Sequence, residues 1–366
     1  MGCRSPLPPC NRSLVLTEQS KYIRVKKEFM NRRHYLQSLS ALFATTLLGS
    51  CAQGGEAPQT KGEQPEQPQA ATGKGQALSL RLPEESHSFL LVNDLGRNGY
   101  YKQKPIAELM GNLAEKIEIE CVVAAGDTHH FNGVASIDDP LWMTNYELIY
   151  AHPELMIDWF AINGNHEYRG NTQAVLDYGK KSRRWVMPAR YYSQTFEAGD
   201  KEEALLLFID TTPLIEKYRK KGDKYPDAGQ QDKEAQLRWI EQTLAQSQAR
   251  WKIVIGHHPL YADTDKDDSE RMDMRNALEA LFDRYGVDLY CCGHIHSFQH
   301  IQPEGSKVDY LVNSSGSLAR PVKAVPGTQF CSSDEGFTLI NVADDQLSFH
   351  LINDRGEVIY SYRRSL

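Results

Sequence analysis

Residues 160–167 read FAINGNHE, an apolar run that breaks off at a glycine and continues as Asn165, His166 and Glu167. Four other stretches end in a similar way: LLVND (90–94), VVAAGD (122–127), IVIGH (253–257) and YCCGHIH (290–296). These runs, and a sixth before Asp210, are continuous and rich in Val, Ile, Leu and Phe, as strands covered on both faces should be. Between them lie helical stripes: Ile106, Leu109, Met110, Leu113 and Ile117; Leu237, Ile240 and Leu244; Met274, Ala277, Leu278, Leu281, Phe282 and Tyr285. Alternating strands and helices predict an α/β fold with buried sheets. In open α/β sheets ligands gather outside the carboxyl ends of the strands, so one cleft can collect all five polar ends.

The later part of the chain changes character. KVDYLVNSSGS (307–317), Gly336 to Val342, Gln346 to Ile352 and Gly356 to Tyr362 read as short strands separated by Gly and Asn-Asp turns. They are expected to be antiparallel and to complete a second sheet.

The amino-terminal part carries targeting signals. Met30 opens a signal sequence with Arg32 and Arg33, the apolar stretch Leu39 to Leu48, and Gly49-Ser50 directly before Cys51. Residues 30–50 resemble a bacterial lipoprotein signal, which implies lipidation of Cys51. Residues 1–29 lack such a pattern and are an over-extended gene start or a polar leader, the former preferred. Arg32-Arg33-His34-Tyr35-Leu36 resembles a twin-arginine export signal, although two arginines also suit an ordinary charged leader. The apolar segment is short for a membrane span, which needs about 20 residues. From Cys51 to residue 79 the chain is a polar tether, whose 26 residues from Ala52 to Ala77 would span roughly 30 Å as a flexible coil. The expected domain is therefore 80–366. It would be exported and anchored to a bacterial membrane, periplasmic or at the cell surface, through Cys51.

Residues 51–366 carry 33 Lys and Arg against 46 Asp and Glu, a net charge of −13. An acidic body argues against nucleic acid as a partner, and anionic ligands must be attracted locally. Cys3 and Cys10 lie upstream of the signal. Cys121, Cys291 and Cys292 fall in apolar runs, where buried reduced thiols are expected. There is no disulfide framework and no C-x-x-C pattern, and a bridge through Cys331 stays open.

Taken together, Asp94-Leu95-Gly96, Gly126-Asp127-Thr128-His129-His130, Gly164-Asn165-His166-Glu167, Gly256-His257-His258-Pro259 and Gly293-His294-Ile295-His296 resemble the calcineurin-like metallophosphoesterase superfamily. Within it the chain is most similar to the purple acid phosphatases of the small, tartrate-resistant type. The resemblance runs from about Ser88 to the carboxyl terminus and includes Phe208-Ile209-Asp210-Thr211 and Ser297-Phe298-Gln299. It implies two stacked mixed β-sheets flanked by helices, a four-layer αββα sandwich; apart from the resemblance, a monomer is expected. The resemblance also implies two metal ions about 3.5 to 4 Å apart, bridged by a carboxylate. On that pattern Asp127 bridges, Asp94 and His296 hold the first ion, and Asn165, His257 and His294 hold the second.

One position departs from the resemblance. Purple acid phosphatases place a tyrosine three residues after the bridging aspartate, and its phenolate binds ferric iron and gives the colour. Here that residue is His130, the natural replacement ligand, since the first motif offers Gly96 where other superfamily members have histidine. The alternative is an exposed histidine pair in a loop. His129 would then line the cleft or support the site. Imidazole in place of phenolate removes a negative charge, so the expected ions are divalent or mixed-valence iron, manganese or zinc, in a centre without purple colour.

The implied chemistry is phosphomonoester hydrolysis by in-line attack of a metal-bound hydroxide. His166 would orient the phosphate and protonate the leaving group. A second histidine of the family has no counterpart in ADTDKDD (262–268); His258 either substitutes for it or plays a structural role beside Pro259. A phosphodiesterase or nucleotide pyrophosphatase uses the same metal core, and a non-catalytic binding lipoprotein is the remote alternative.

Overall fold

The computed structural model describes residues 80–198 and 201–366. The expected leader, signal and tether (1–29, 30–50 and 51–79) lie outside the described residues. The first sheet begins with β1 (Ser86–Val92), β2 (Cys121–Ala124), β3 (Asp158–Ala161) and β4 (Trp185–Val186), all parallel neighbours. A second sheet follows: β5 (Tyr192–Ala198), β6 (Lys201–Phe208), β7 (Trp251–Ile255), β8 (Leu289–Cys292), β9 (Phe298–Ile301), β10 (Asp309–Val312) and β11 (Thr328–Ser332). The chain then returns to the first sheet with β12 (Gly336–Ala343), β13 (Gln346–Asn353) and β14 (Val358–Ser365). Among the described residues each sheet has seven strands, in the orders β14-β13-β12-β1-β2-β3-β4 and β11-β9-β10-β8-β7-β6-β5.

Two mixed sheets with flanking helices agree with the expected fold class, but the placement of the closing strands is a correction. β12 to β14 are antiparallel, yet they extend the first sheet, because β12 pairs along the open edge of β1. β10 does belong to the second sheet, antiparallel to β9 as expected but parallel to β8. The physical reason lies in burial: β12 is buried at every residue, so it must sit inside a sheet, and β1 had one side unpaired. β14 is left as an edge and is more exposed, with Arg363 and Arg364 on it, a pattern that discourages further pairing.

Successive side chains of β6 show why both faces must be apolar. Leu206 and Phe208 belong to the core between the sheets, while Leu205 and Leu207 pack with the outer helices. Each fully buried side chain of this kind contributes about 1.5–3 kcal/mol. Phe208 meets Phe160 of the facing sheet at a ring distance of 5.7 Å, and truncating it to alanine should cost about 3–5 kcal/mol.

Helix α1 (Gln103–Ala114) buries Ile106, Met110 and Leu113 and ends before Ile117, one turn short of the apolar stripe. The short α2 (Thr172–Asp177) and α3 (Glu216–Arg219) lie in the loops after the first and second sheets' leading strands. α4 (Lys233–Gln246) starts at Asp232, whose side chain accepts the Ala235 N–H at 2.9 Å, and buries Ile240 and Leu244. α5 (Ser269–Tyr285) buries Met274, Leu278 and Phe282 and stops at Gly286, where φ of 64° is the left-handed cap glycine tolerates. The four described cysteines are unpaired; Cys121, Cys291 and Cys292 are buried and Cys331 is half-buried.

Candidate metal centre

The loops after β1, β2, β3, β7 and β8 all open on one side of the sandwich. Four of the residues they carry, Asp94, Asp127, His294 and His296, have φ between 52° and 69°, a region that non-glycine residues seldom enter and that gathers at functional sites. Glycines permit the crowding. A Cβ at Gly164 would fall on Oδ1 of Asp127, so the third loop can lie against the second only without a side chain there.

The convergence is tight. Asp127 Oδ2 lies 3.1 Å from His257 Nε2, 3.6 Å from His130 Nε2 and 3.8 Å from His166 Nε2. Asp94 Oδ1 lies 3.0 Å from His296 Nε2 and 3.8 Å from His130 Nε2. Three overlapping groups of donors each fall within 4.8 Å: Asp94, His130 and His296; Asp127, His130 and His166; Asp94, Asp127 and His257. A fourth joins His257, His258 and His294. Burial opposes charge on Asp94 and Asp127, but the histidines around them outweigh it and hold both carboxyls well below the ordinary range.

Whether this set suits metal ions can be tested on its lone pairs. Asp94 Oδ1, Asn165 Oδ1, His257 Nε2 and both ring nitrogens of His130 are buried without a hydrogen-bond partner. Buried polar groups are seldom left so, because each orphan costs about 1–3 kcal/mol. The outer nitrogens, in contrast, are held. Nδ1 of His257 lies 2.9 Å from Ala125 O, and Nδ1 of His296 lies 2.7 Å from Leu318 O. A backbone carbonyl can only accept, so each Nδ1 carries a proton, and once an ion replaces any proton on Nε2 that nitrogen turns its lone pair to the ion beside the carboxylates. Asp94 Oδ2 is occupied by the side chain of Asn93 at 2.7 Å and the His294 N–H at 2.8 Å, which leaves Oδ1 free. The donors fit a metal centre.

A model of the calcineurin-like phosphoesterase family matches residues 87–298. The chain belongs to that family. Purple acid phosphatase 4 of Arabidopsis thaliana is 31% identical over 293 residues, covering 77% of this chain and 85% of that protein. Tartrate-resistant acid phosphatase type 5 of Homo sapiens is 26% identical over 270 residues, covering 69% and 82%. Among solved structures, GAP50, the anchor in the inner membrane complex of Plasmodium, shares the fold with a TM-score of 0.66 at 23% identity, covering 77% of this chain and 89% of that one.

In this calcineurin-like phosphoesterase, His130 and His166 face the cleft together, with ring centroids 4.2 Å apart. His166 Nδ1 lies 2.7 Å from Phe131 O, so it too donates there and presents Nε2 to the cleft. His129 does not line the cleft: it is buried edge-on against Trp142, with Nδ1 3.2 Å from Asn145 Nδ2. Successive side chains of an irregular loop point to different sides, and the apolar pocket under Trp142 takes this one. Burial depresses its pKa to about 3. His258 is fully buried, its Nδ1 2.7 Å from Thr211 Oγ1 and its ring 4.3 Å from that of His294.

Several residues of the site lie in stretches read from the sequence but had no role assigned to them there. Glu167 accepts the backbone N–H groups of Asp127 at 2.9 Å, His129 at 3.0 Å and Gly164 at 2.7 Å, so it pins the second loop to the third. Ser315 and Ser317 each donate to the Asp94 carbonyl, at 2.9 and 2.8 Å, which ties the first loop to the segment after β10. Glu270 of α5 places Oε2 2.9 Å from His294 Nε2. Lys266 lies in the very loop where a second histidine was missing, and its Nζ sits 2.7 Å from His294 Nε2 and 3.1 Å from His294 O. Nothing about an acidic, polar loop marks its one lysine as half-buried against a histidine.

Proposed function

We propose that the protein hydrolyses phosphate monoesters at a centre of two divalent metal ions, iron, manganese or zinc. Asp127 would bridge them, Asp94, His130 and His296 would hold one, and Asn165, His257 and His294 the other. The observation that carries this reading is the set of orphaned lone pairs on Asp94, His130, Asn165 and His257, brought together from four loops. When bound, two ions neutralise charge on the phosphoryl oxygens and generate a nucleophile at neutral pH.

The chain's own groups supply the rest. His166, with Nδ1 tethered to Phe131 O, can hold a proton only on Nε2 for the departing oxygen. Lys266 brings an ammonium beside His294 for the phosphate, one whose pKa burial lowers to about 8. Asp127 Oδ1 accepts the backbone N–H of His166 at 2.8 Å, which would fix the proton donor's position against the bridging carboxylate. Family membership and the acid phosphatase relatives support this reading of the chemistry.

The deciding assay compares p-nitrophenyl phosphate with its bis-ester on metal-loaded protein. Faster turnover of the monoester is expected, with a loss of roughly 10²-fold or more in His166→Asn, as general acid catalysis contributes about that much. Preference for the bis-ester would make the protein a phosphodiesterase. An Asn165→Ala protein as active as its parent would end the dinuclear reading and revive a binding role.

The export reading rests on residues 30–51 alone: the domain would be lipid-anchored on a bacterial membrane, and, separately, the acidic charge of residues 51–366 argues against nucleic acid as a partner of what would be a monomer. Incorporation of labelled fatty acid that is lost in Cys51→Ser checks the anchor; retention of the label would overturn it.

A further inference from the structure

The cleft of about 330 Å³ over the candidate centre is lined by Arg97, Arg169, Lys217, Lys221, Lys224 and Lys266, with Arg320 beside them, in a chain whose residues 51–366 are strongly acidic. Two carboxylates line it as well. Asp127 belongs to the centre, and Glu270 is ion-paired with Lys217 and bonded to His294. Lys220 and Lys233, close by, share the carboxylate of Glu216 with Arg219, whereas among the described residues Lys221, Lys224 and Arg169 have no ion-pair partner.

The cations on the rim are arranged rather than scattered. Lys217, Lys221 and Lys224 recur at spacings of four and three along α3 and the turn that follows, where the Lys224 N–H bonds to Lys221 O at 3.0 Å and the Tyr225 N–H bonds to the same oxygen at 2.8 Å. The buried Tyr225 ring supports two of them, with the Arg169 guanidinium and the Lys224 ammonium each 5.6 Å from its centroid. Arg169 is oriented further by donating to Phe131 O at 3.1 Å. This is the same carbonyl that tethers His166, so the rim adjoins the proton donor.

Charge accounting shows that one phosphate does not need them. Two divalent ions, the carboxylates of Asp94 and Asp127 and a hydroxide nucleophile leave one positive charge; with Glu270 matched by Lys217, Lys266 supplies a second, and a monoester dianion balances both. The rim cations then have no counter-charge unless the substrate brings more. We propose that Arg169, Lys221 and Lys224 form a second anion subsite, and that the substrate is a small phosphomonoester bearing at least one further phosphate near the scissile one. The substrate class rests on the monoesterase reading; the subsite rests on the charge placement alone.

The test uses metal-loaded protein and matched pairs of monoesters, fructose 6-phosphate against fructose 1,6-bisphosphate and adenosine 5′-monophosphate against adenosine 3′,5′-bisphosphate. In the parent, kcat/KM should favour the doubly phosphorylated member by about tenfold or more, a preference eroded by salt. The Lys221→Ala/Lys224→Ala variant should bring that ratio toward one. Preference within the sugar pair alone or the nucleotide pair alone would identify which carrier fits. Equal kcat/KM within both pairs, or a ratio the double variant leaves untouched, overturns the proposal. Calorimetry with inositol hexasulfate, a polyanion that phosphatases do not cleave, separates the two readings. Binding that weakens about tenfold in the double variant, in a protein that cleaves no phosphate ester, would retain the subsite and sink the monoesterase. Binding that does not depend on the lysines would sink the subsite.

Discussion

Oε2 of Glu270, on helix α5, lies 2.9 Å from Nε2 of His294, at the end of β8. Carboxylate and imidazole share the proton at Nε2, which leaves Nδ1 of His294 as the lone pair available to an ion. Lys266 approaches the same Nε2, but a nitrogen that donates to Glu270 cannot accept from an ammonium, so the lysine is held by the His294 carbonyl and by the charge of Glu270. Glu270→Gln should weaken metal binding by about 10- to 100-fold, as loss of such supporting carboxylates usually does. Competition against a chelator of known affinity measures it. An unchanged affinity would mean that Glu270 serves only its contacts with Lys217 and Tyr218.

Metal binding should also stabilise the fold. The strained φ angles of Asp94, Asp127, His294 and His296 and the orphaned atoms around them are costs that bound ions offset. At an ion concentration of about 100 times Kd the gain is on the order of 2.7 kcal/mol. Thermal melts with metal and with chelator should therefore differ by several degrees in the parent and by much less in Asp127→Ala. Coincident melting curves of the parent would contradict a metal centre at these loops.

His130 decides the colour. Its Nε2 lies 3.6 Å from Asp127 and 3.8 Å from Asp94, where a purple acid phosphatase would present a phenolate. The parent loaded with iron should lack a strong visible charge-transfer band, and His130→Tyr should acquire one. A purple parent whose band survives in His130→Ala would show that another residue supplies the anionic ligand.

A pH dependence of stability follows from Asp210, at the end of β6. Burial is the chief cause of its shift and raises its pKa from 3.8 to about 6, despite Arg190 and the hydrogen bond from Tyr168 at 2.5 Å. A carboxyl whose pKa is higher folded than unfolded binds its proton more tightly in the native state. The stability it contributes is thus complete below about pH 4 and is lost as pH rises to about 6. Relative to Asp210→Asn, the parent should lose on the order of 2–3 kcal/mol across that window and stay level above it. Denaturant unfolding of both proteins from pH 4 to 7 checks it; a constant difference would mean that Asp210 titrates normally.

What the sequence by itself determined was local: which runs are strands, which stripes are helices, and which side chains stand at the strand ends. Periodicity and residue type dictate these within a few residues, and so Asp94, Asp127, His130, Asn165, His257, His294 and His296 were legible as a set. Their neighbours were not. His129 and His130 are adjacent, yet one packs under Trp142 and the other faces the carboxylates, a choice made by the path of the loop. Glu270 and Lys266 matter because α5 and the loop before it fold back over β8, and the three rim lysines because α3 lies beside the third loop. Likewise β12 to β14 read as strands but joined the first sheet, since the open edge of β1 was the surface that could bury β12 on both faces. Side-chain chemistry is written residue by residue, whereas proximity depends on which distant surfaces exclude water together, and that is settled only when the chain is packed.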